Sequence, residues 1–506
     1  MKSRFSRGIL VLHRYVGVLL GVLMTLWCLS GFVMMYQGFP GVTEEERLAS
    51  LQPLNLSAPL ALDRLPFTDE EVVRGFRLEM LGTQPVLRMN GRGGGTTYSL
   101  SSGDELKPLS VQEVAEVASL HAAGNGIALA DHIEPQLMDR LDQWTIQSFR
   151  GSQPLYHVKM GDPAGSELYI SAASGTVVQD TNRKERVLSW LGAIPHWLYP
   201  TVLRENGRLW TEVVIWASVI GTFLTATGLY VGLGRVAQRR KGRLSPYKGL
   251  WYWHHVLGLF LGVITLTWVF SGLMTMGPWG LLSGPPNTLR QDIAGSASWA
   301  ETRQFLERAQ QEGLPQGTVQ LRPALLGGAM HGIALIPGQQ PVRLNSEAMP
   351  APLAEEDVRG ALSGLPVAQF THMTREDAYY YGFKDRAFRP VYRAILDDAQ
   401  QSRIYVDAST GEVARIVDDA ARRSRWLRNG MHSLDFIRGR PLWDVVTLVL
   451  LAGVTAVCAT GAWMSFHRVS RDIRMFRRRR KGRRLARTVN GQPAVGVIGP
   501  VRSQDG

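Results

Sequence analysis

The chain has 506 residues, 45% of them hydrophobic and 20% charged, with a formal net charge of +13. Its two cysteines exclude a disulfide framework, and the absence of CxxCH or CxxC excludes covalent c-type haem attachment and a paired-cysteine zinc site. The positive charge invites a nucleic-acid reading, but the places where it sits argue against that.

In chain order, uncharged apolar runs occupy residues 15–35, 213–234, 256–277 and 445–466. About 18–20 such residues suffice to cross a hydrocarbon core of roughly 30 Å as a helix. Lys2, Arg4 and Arg7 precede the first run like a signal peptide. Its apolar stretch is nevertheless too long for an h-region, and no A-x-A site follows, so a retained anchor is expected. The layout is then an N-terminus and first span (1–36), a long polar region (37–209), a second span (210–234) and a basic loop (235–250). A third span (251–277), a second polar region (278–442), a fourth span (443–466) and a basic tail (467–506) complete it. Residues 1–20, 234–253 and 467–506 together hold 22 Lys+Arg against 2 Asp+Glu, leaving 34 basic and 41 acidic residues elsewhere. The positive-inside rule therefore predicts cytoplasmic termini and short loop, with both polar regions on the far side. The Arg-rich run at 477–481 is expected at the membrane surface and not on nucleic acid.

Within the first polar region, 110–123 predicts a helix capped by Ser110 with Glu113 three residues on. Strands are predicted at 144–149, 155–160, 167–171 and 176–179, with a turn at Ser174-Gly175. The second region repeats this order: a helix at 353–362, strands at 378–383, 390–397 and 403–407, and a turn at Thr410-Gly411. Looser upstream copies read as strands at 76–81, 85–89 and 97–101, and at 318–322, 332–336 and 341–344, so two or four α+β units remain open. The segments 92–95 and 280–286 read as loops, and GRGGG at 91–95 lacks the dinucleotide spacing.

The chain is an internal repeat. LHRYVGVLLG from Leu12 aligns without a gap on WHHVLGLFLG from Trp253, and at that offset Trp27, Ser30-Gly31 and Met35 meet Trp268, Ser271-Gly272 and Met276. YISAASGTV from Tyr169 aligns on YVDASTGEV from Tyr405, with Trp190 on Trp426 and His196 on His432. After a three-residue gap, Trp210 meets Trp443 and Thr227-Gly228 meets Thr460-Gly461. Each half crosses twice, so both run in the same sense about an axis along the membrane normal.

That symmetry makes the histidines informative. His13 and His254 begin the first and third spans; His196 and His432 precede the second and fourth. A metal or haem iron on the axis receives one imidazole from each half, which gives one bis-histidine site per face. His255 and His467 are further candidates without a partner in the repeat. The glycines at 17, 21, 258 and 262 allow close approach of helices or of a flat macrocycle. His196 lies 17 residues before Val213 and His432 13 before Val445, so a short helix such as 194–203 has to fold back onto the bundle. Trp27 and Trp268 read as packing or as an aromatic bridge between redox sites. Cys28 and Cys458 read as small apolar residues, and His121, His132, His157, His331 and His372 as structural or surface residues.

The LHRYVG and WHHVLG starts, the W-x-x-SG interiors, YVDASTGEV and the downstream His432 resemble the PepSY-associated transmembrane helix family, over most of the chain. Ser171 departs from the pattern where the second half has Asp407. The resemblance implies a four-helix transmembrane bundle from two parallel repeats, with periplasmic α+β PepSY-like domains, in a bacterial inner membrane. It also implies two b-type haems held by His13, His254, His196 and His432, and a siderophore-iron reductase that needs no protein acid or base. The expected partners are the lipid bilayer, a quinol or separate flavoprotein as electron donor, and a ferric siderophore or other ferric chelate. Two other readings stand beside it: a non-redox binding or regulatory protein of the cell envelope, and a transporter. Bound haem separates the first reading from both.

Overall fold

The computed structural model describes residues 4–89, 95–130, 133–145, 147–239, 243–284, 288–384 and 387–489. Four helices in it are long and apolar enough to cross a membrane: Arg4–Met34, Gly207–Val236, Leu250–Thr275 and the apolar part of Arg440–Val489. In hydrocarbon every backbone N–H and C=O must be bonded within the segment, and a continuous helix achieves this. Their large apolar side chains face outward, with Leu19, Phe260, Leu233 and Val449 all exposed. Water penalises such a surface and a bilayer does not. The fourth helix runs 50 residues, so part of the basic tail expected at 467–506 continues as helix through Val489.

The chain divides into two compact units. Among the described residues, the first holds Arg4–Thr25, Ile220–Leu266 and Ala452–Val489. It consists of segments of the four long helices and the connection between the second and third. The second holds Leu26–Val219 and Thr267–Leu451, and with them every strand.

In the second unit, two antiparallel four-stranded meanders answer to the two repeats. Gln136–Leu137, Leu155–Lys159, Glu167–Ser171 and Val177–Thr181 pair in sequence, as do Val367–Met373, Val391–Leu396, Arg403–Asp407 and Val413–Val417. The third strand of each shifts register against the fourth, after Tyr169 in one sheet and Tyr405 in the other. Gly175 (φ +65°) and Gly411 (φ +79°) supply the left-handed residue at each predicted turn. The first meander packs Val158, Leu168 and Ile170 against Val114, Ala118 and Ala122 of the helix Val111–Asn125. The second packs Ala394, Ile404 and Val406 against Val358 and Leu362. Ser110 and Glu113 form the predicted capping box, each side chain bonding the other's backbone N–H.

The upstream strands settle how many sheets exist. Phe76–Leu81, Gln84–Met89 and Thr96–Ser99 join Gln320–Leu326, Ala329–Leu335 and Val342–Leu344 in one six-stranded sheet. The halves meet where Leu78 and Glu79 pair antiparallel with Leu321 and Gln320. A twofold axis through a sheet joins equivalent strands in this way. Glu79 is buried at the seam and accepts from Arg88 Nε (2.7 Å), Arg47 (3.0 Å) and Gln320. Trp299, Phe305 and Leu306 of the helix Trp299–Glu312 cover the sheet's apolar face.

Among the described residues, two predicted strands are absent, for one shared reason. Trp144 and Thr145 lie in a turn, and Gln147–Ser152 is a short 3₁₀ helix. In the second half, residues 378–380 bend and only Phe383 makes a bridge. Asp142 Oδ1 accepts from the backbone N–H groups of Trp144 and Thr145, and Asp377 Oδ1 from those of Tyr379 and Tyr380. These side-chain bonds bend the backbone in both halves. The aromatic composition of both runs reads as strand, but the rings serve the core instead. The first strand of each meander is instead the unpredicted Gln136–Leu137 or Val367–Met373. The loop expected at 92–95 lies outside the described residues except Gly95, as do residues 285–286.

One ion pair in the first meander makes a pH prediction. A hydrogen bond from His157 (3.0 Å), with Arg186 (3.2 Å) adding to it, holds the Glu167 carboxyl below its ordinary value. A depressed folded value stabilises above the unfolded value and is lost as pH falls through the folded one. Glu167→Gln is therefore expected to flatten the acid limb of the melting-temperature profile, and an unchanged limb refutes the assignment.

Candidate functional site: two histidine pairs

The four symmetric histidines are held by one local device used four times. In the first unit, His13 Nδ1 lies 3.0 Å from the Leu224 carbonyl and 3.4 Å from Thr227 Oγ1. His254 Nδ1 lies 3.2 Å from the Val457 carbonyl and 3.1 Å from Thr460 Oγ1. In the second unit, His196 Nδ1 lies 3.1 Å from both the Trp27 carbonyl and Ser30 Oγ. His432 Nδ1 lies 3.3 Å from the Trp268 carbonyl and 3.2 Å from Ser271 Oγ. A carbonyl only accepts, so Nδ1 carries the proton in each ring. Among the described residues none bonds any Nε2, which leaves four free lone pairs. Metal-binding histidines are oriented by this same bond on the other nitrogen.

The receiving helix presents a carbonyl, then a hydroxyl three residues on, then glycine: LTATG from Leu224, VCATG from Val457, WCLSG from Trp27 and WVFSG from Trp268. Each hydroxyl also bonds the carbonyl one turn back, which fixes its position. The glycine makes room for the imidazole. A Cβ on Gly228 would stand 2.7 Å from His13 Cε1, and one on Gly461 2.8 Å from His254 Cε1. At Gly272 and Gly31 the corresponding distances are 3.5 and 4.0 Å. Repeat alignment pairs these segments but gives them no role; the fourfold x-x-[Ser/Thr]-Gly pattern is the signal that finds it. Gly228→Ala and Gly461→Ala are expected to destabilise by about 1–3 kcal/mol through overpacking. Gly31→Ala and Gly272→Ala should cost less, and equal melting temperatures for all four variants in detergent would contradict this geometry.

His13 and His254 line one cavity in the first unit, where the centre of a water molecule can move through about 180 Å³. The glycines at its wall divide in role. A Cβ added at Gly21 would meet Ala462 and one at Gly262 Leu229, so these serve helix packing, whereas one at Gly258 would come no closer to another helix than 4.0 Å, at Val457. His255 lines the same cavity, with Nε2 3.0 Å from the Gly232 carbonyl and its ring edge-on to Tyr247. Its Nδ1 is buried without a hydrogen-bond partner. His467 is exposed against Trp463 and Phe466 and does not line the cavity.

His196 and His432 approach each other in the second unit, with ring centroids 6.2 Å apart and planes at 60°. Two imidazoles this close, each with its Nδ1 already bonded, are a candidate pair for one shared ligand. Burial, and then the neighbouring His432, push His196 down to about 4; burial also lowers His432. Both shifts favour the neutral imidazole, the form that a metal ligand requires.

Several further residues hold this pair in place. The Trp210 indole donates to the Trp197 carbonyl (3.0 Å) and the Trp443 indole to the Ser433 carbonyl (2.6 Å), in each case the residue after the histidine. The short helix Ala193–Trp197 ends at Leu198 and Met431–Ser433 at Leu434, both in the left-handed region at φ 50°. The single helix expected at 194–203 is thus broken, resuming at Thr201–Arg204. The second half adds a buried ion pair, Arg425 to Asp435 at 2.7 Å, which brackets His432. The Tyr381 hydroxyl donates to Asp435, and Arg425 stacks over Tyr381 and Trp426. Ser189 and Tyr199 occupy the aligned positions in the first half.

Trp27 and Trp268 lend their carbonyls to the histidines, and both indole N–H groups are buried without a partner. Cys458 is buried and Cys28 half-buried. His121 is buried between Ser50 and Asp180, His157 bonds Glu167, His372 lies on Tyr392, and His331 is half-buried. His132 lies outside the described residues.

Among the described residues, no group of three or more His, Cys, Asp or Glu is gathered to hold a bare metal ion. Two imidazoles per site suit a metal that arrives with its own in-plane donors, as haem iron does. Fold and site together define a four-helix, membrane-type chain with sheet domains and two symmetric histidine pairs. Compared with models of protein families and with curated proteins, the chain matches none.

Proposed function

We propose that the chain is an inner-membrane electron-transfer protein with two b-type haems, which reduces a ferric chelate of the siderophore type on the periplasmic side. The observation that carries this reading is the fourfold histidine device, with Nδ1 tied to a carbonyl and a hydroxyl and Nε2 free. His13 and His254 would hold one haem and His196 and His432 the other. A bound b-type haem supplies a one-electron Fe(III)/Fe(II) couple.

The chain's own residues then have defined tasks. The carbonyl and hydroxyl partners fix each imidazole in the tautomer that presents an unprotonated Nε2, and they raise its basicity. The glycines keep the ring in the receiving helix's groove. Trp210 and Trp443 anchor the turns that carry His196 and His432. No side chain has to move a proton for outer-sphere reduction. Release follows because Fe(II) binds hard oxygen ligands less strongly than Fe(III) does. With the basic termini in the cytoplasm, the sheet domains face the periplasm and the donor is a quinol or a separate flavoprotein.

The test is a visible spectrum of the detergent-purified protein, oxidised and dithionite-reduced, with haem counted per chain. Two low-spin b-type haems are expected. Protein made with adequate haem supply and carrying none would overturn the reading and favour a binding role for the sheet domains.

A further inference from the structure

At the start of the fourth long helix, the second unit has a pocket in which the centre of a water molecule can move through about 230 Å³. Among the described residues, Lys384, Arg438 and Arg440 line it together with one carboxylate, Glu376. Glu376 lies 3.6 Å from Arg438, and Arg440 pairs with Asp444 behind the wall at 3.1 Å. Among the described residues the lining carries three cations and one carboxylate. Its walls are aromatic: Phe383 meets Trp443 edge-on at 5.6 Å, with Phe388 alongside. The Lys384 ammonium lies 5.2 Å and the Arg440 guanidinium 5.6 Å from the Trp443 ring.

This pocket adjoins the histidine turn through one residue. Trp443 is part of its wall, and its indole donates to the carbonyl of Ser433, next to His432. Charges beyond about 8–10 Å are screened at physiological salt, so a ligand here responds to these cations and not to the diffuse acidity of the polar regions. Cations select an anion, and arginine forks match carboxylates. Aromatic walls accept flat or aryl groups. The corresponding place at the start of the second long helix repeats the charges, with Arg150, Arg204 and Arg208 against Glu205. Trp210 is its one aromatic wall, and it lies more open to solvent.

We infer that the pocket of Lys384, Arg438, Arg440, Phe383, Phe388 and Trp443 docks an anionic ferric chelate bearing carboxylate or aryl groups, beside the His196–His432 pair. This rests on the proposed delivery of electrons to a ferric complex and names the class of that complex.

The test uses gallium(III)–citrate, a redox-inert anionic chelate, titrated calorimetrically into the full-length protein in detergent. The comparisons are citrate alone and the gallium complex of a cationic linear trihydroxamate. Gallium–citrate is expected to bind best, and more weakly as salt rises. Lys384→Gln and Arg438→Gln should each weaken it about tenfold, the effect of roughly one charge-assisted bond. No binding, equal binding of the cationic complex, or unchanged affinity in both variants would overturn the inference. Citrate alone binding as tightly as gallium–citrate would assign the pocket to free carboxylates and also overturn it. Gallium is not reduced, so this result stands apart from the haem count, which tests the electron-transfer reading by itself.

Discussion

Replacing His13 and His254 together with alanine is expected to leave one haem per chain, and replacing His196 and His432 together should leave the other. Each double variant removes both proposed Nε2 ligands of one pair while the carbonyl and hydroxyl partners of the other stay in place. The two remaining haems should differ in reduced absorption maximum and midpoint potential. Their surroundings differ: the first pair lines a cavity between helices, and the second is braced by tryptophans and a buried ion pair. Axial histidine identity alone does not set a potential; burial and outer hydrogen bonds contribute. Full haem content in either double variant, or loss of both haems from one of them with the fold intact by circular dichroism, would refute the pairing.

Removing Arg425 should cost about 3–5 kcal/mol, because it strands the buried Asp435 carboxylate. Arg425 and Asp435 are 1% and 3% exposed, and they bracket the turn that carries His432. Arg425→Ala is therefore expected to lower the unfolding midpoint and loosen haem retention at that pair. The double variant Arg425→Met/Asp435→Leu should recover most of the stability, since apolar replacement of a buried pair is often close to neutral. Recovery should be incomplete because the Tyr381 hydroxyl loses its acceptor. A single variant as stable as the parent would show that this pair does not hold the turn.

The four long apolar helices, the repeat and the symmetric pairing of the histidines were legible in the residues themselves. Hydrophobic runs and their flanking charges answer to the bilayer, which acts on local composition. Repeats are visible wherever identical residues recur at one offset, so His13 with His254 and His196 with His432 could be paired before any fold was known. The helix at Val111–Asn125 and the turns at Gly175 and Gly411 were equally local, set by a capping box and by left-handed glycines. Asp142 and Asp377 show where local reading fails. Runs rich in aromatic residues look like strands, and one carboxylate two or three residues upstream bends each into a turn.

Only the tertiary structure decided which groups meet across long sequence separations. His13 finds its partners 211 and 214 residues away, and His432 finds its own 164 and 161 residues away. A hydroxyl and a glycine on an apolar helix carry no sign of what will face them, so the Thr-Gly and Ser-Gly steps read as packing until the imidazoles are seen against them. The six-stranded sheet formed across the repeat, the Arg425–Asp435 pair and the cation-lined pocket are of the same kind. Each depends on the direction of side chains from distant segments. Composition and periodicity specify which face of an element is apolar, whereas these sites depend on what the folded chain brings opposite it.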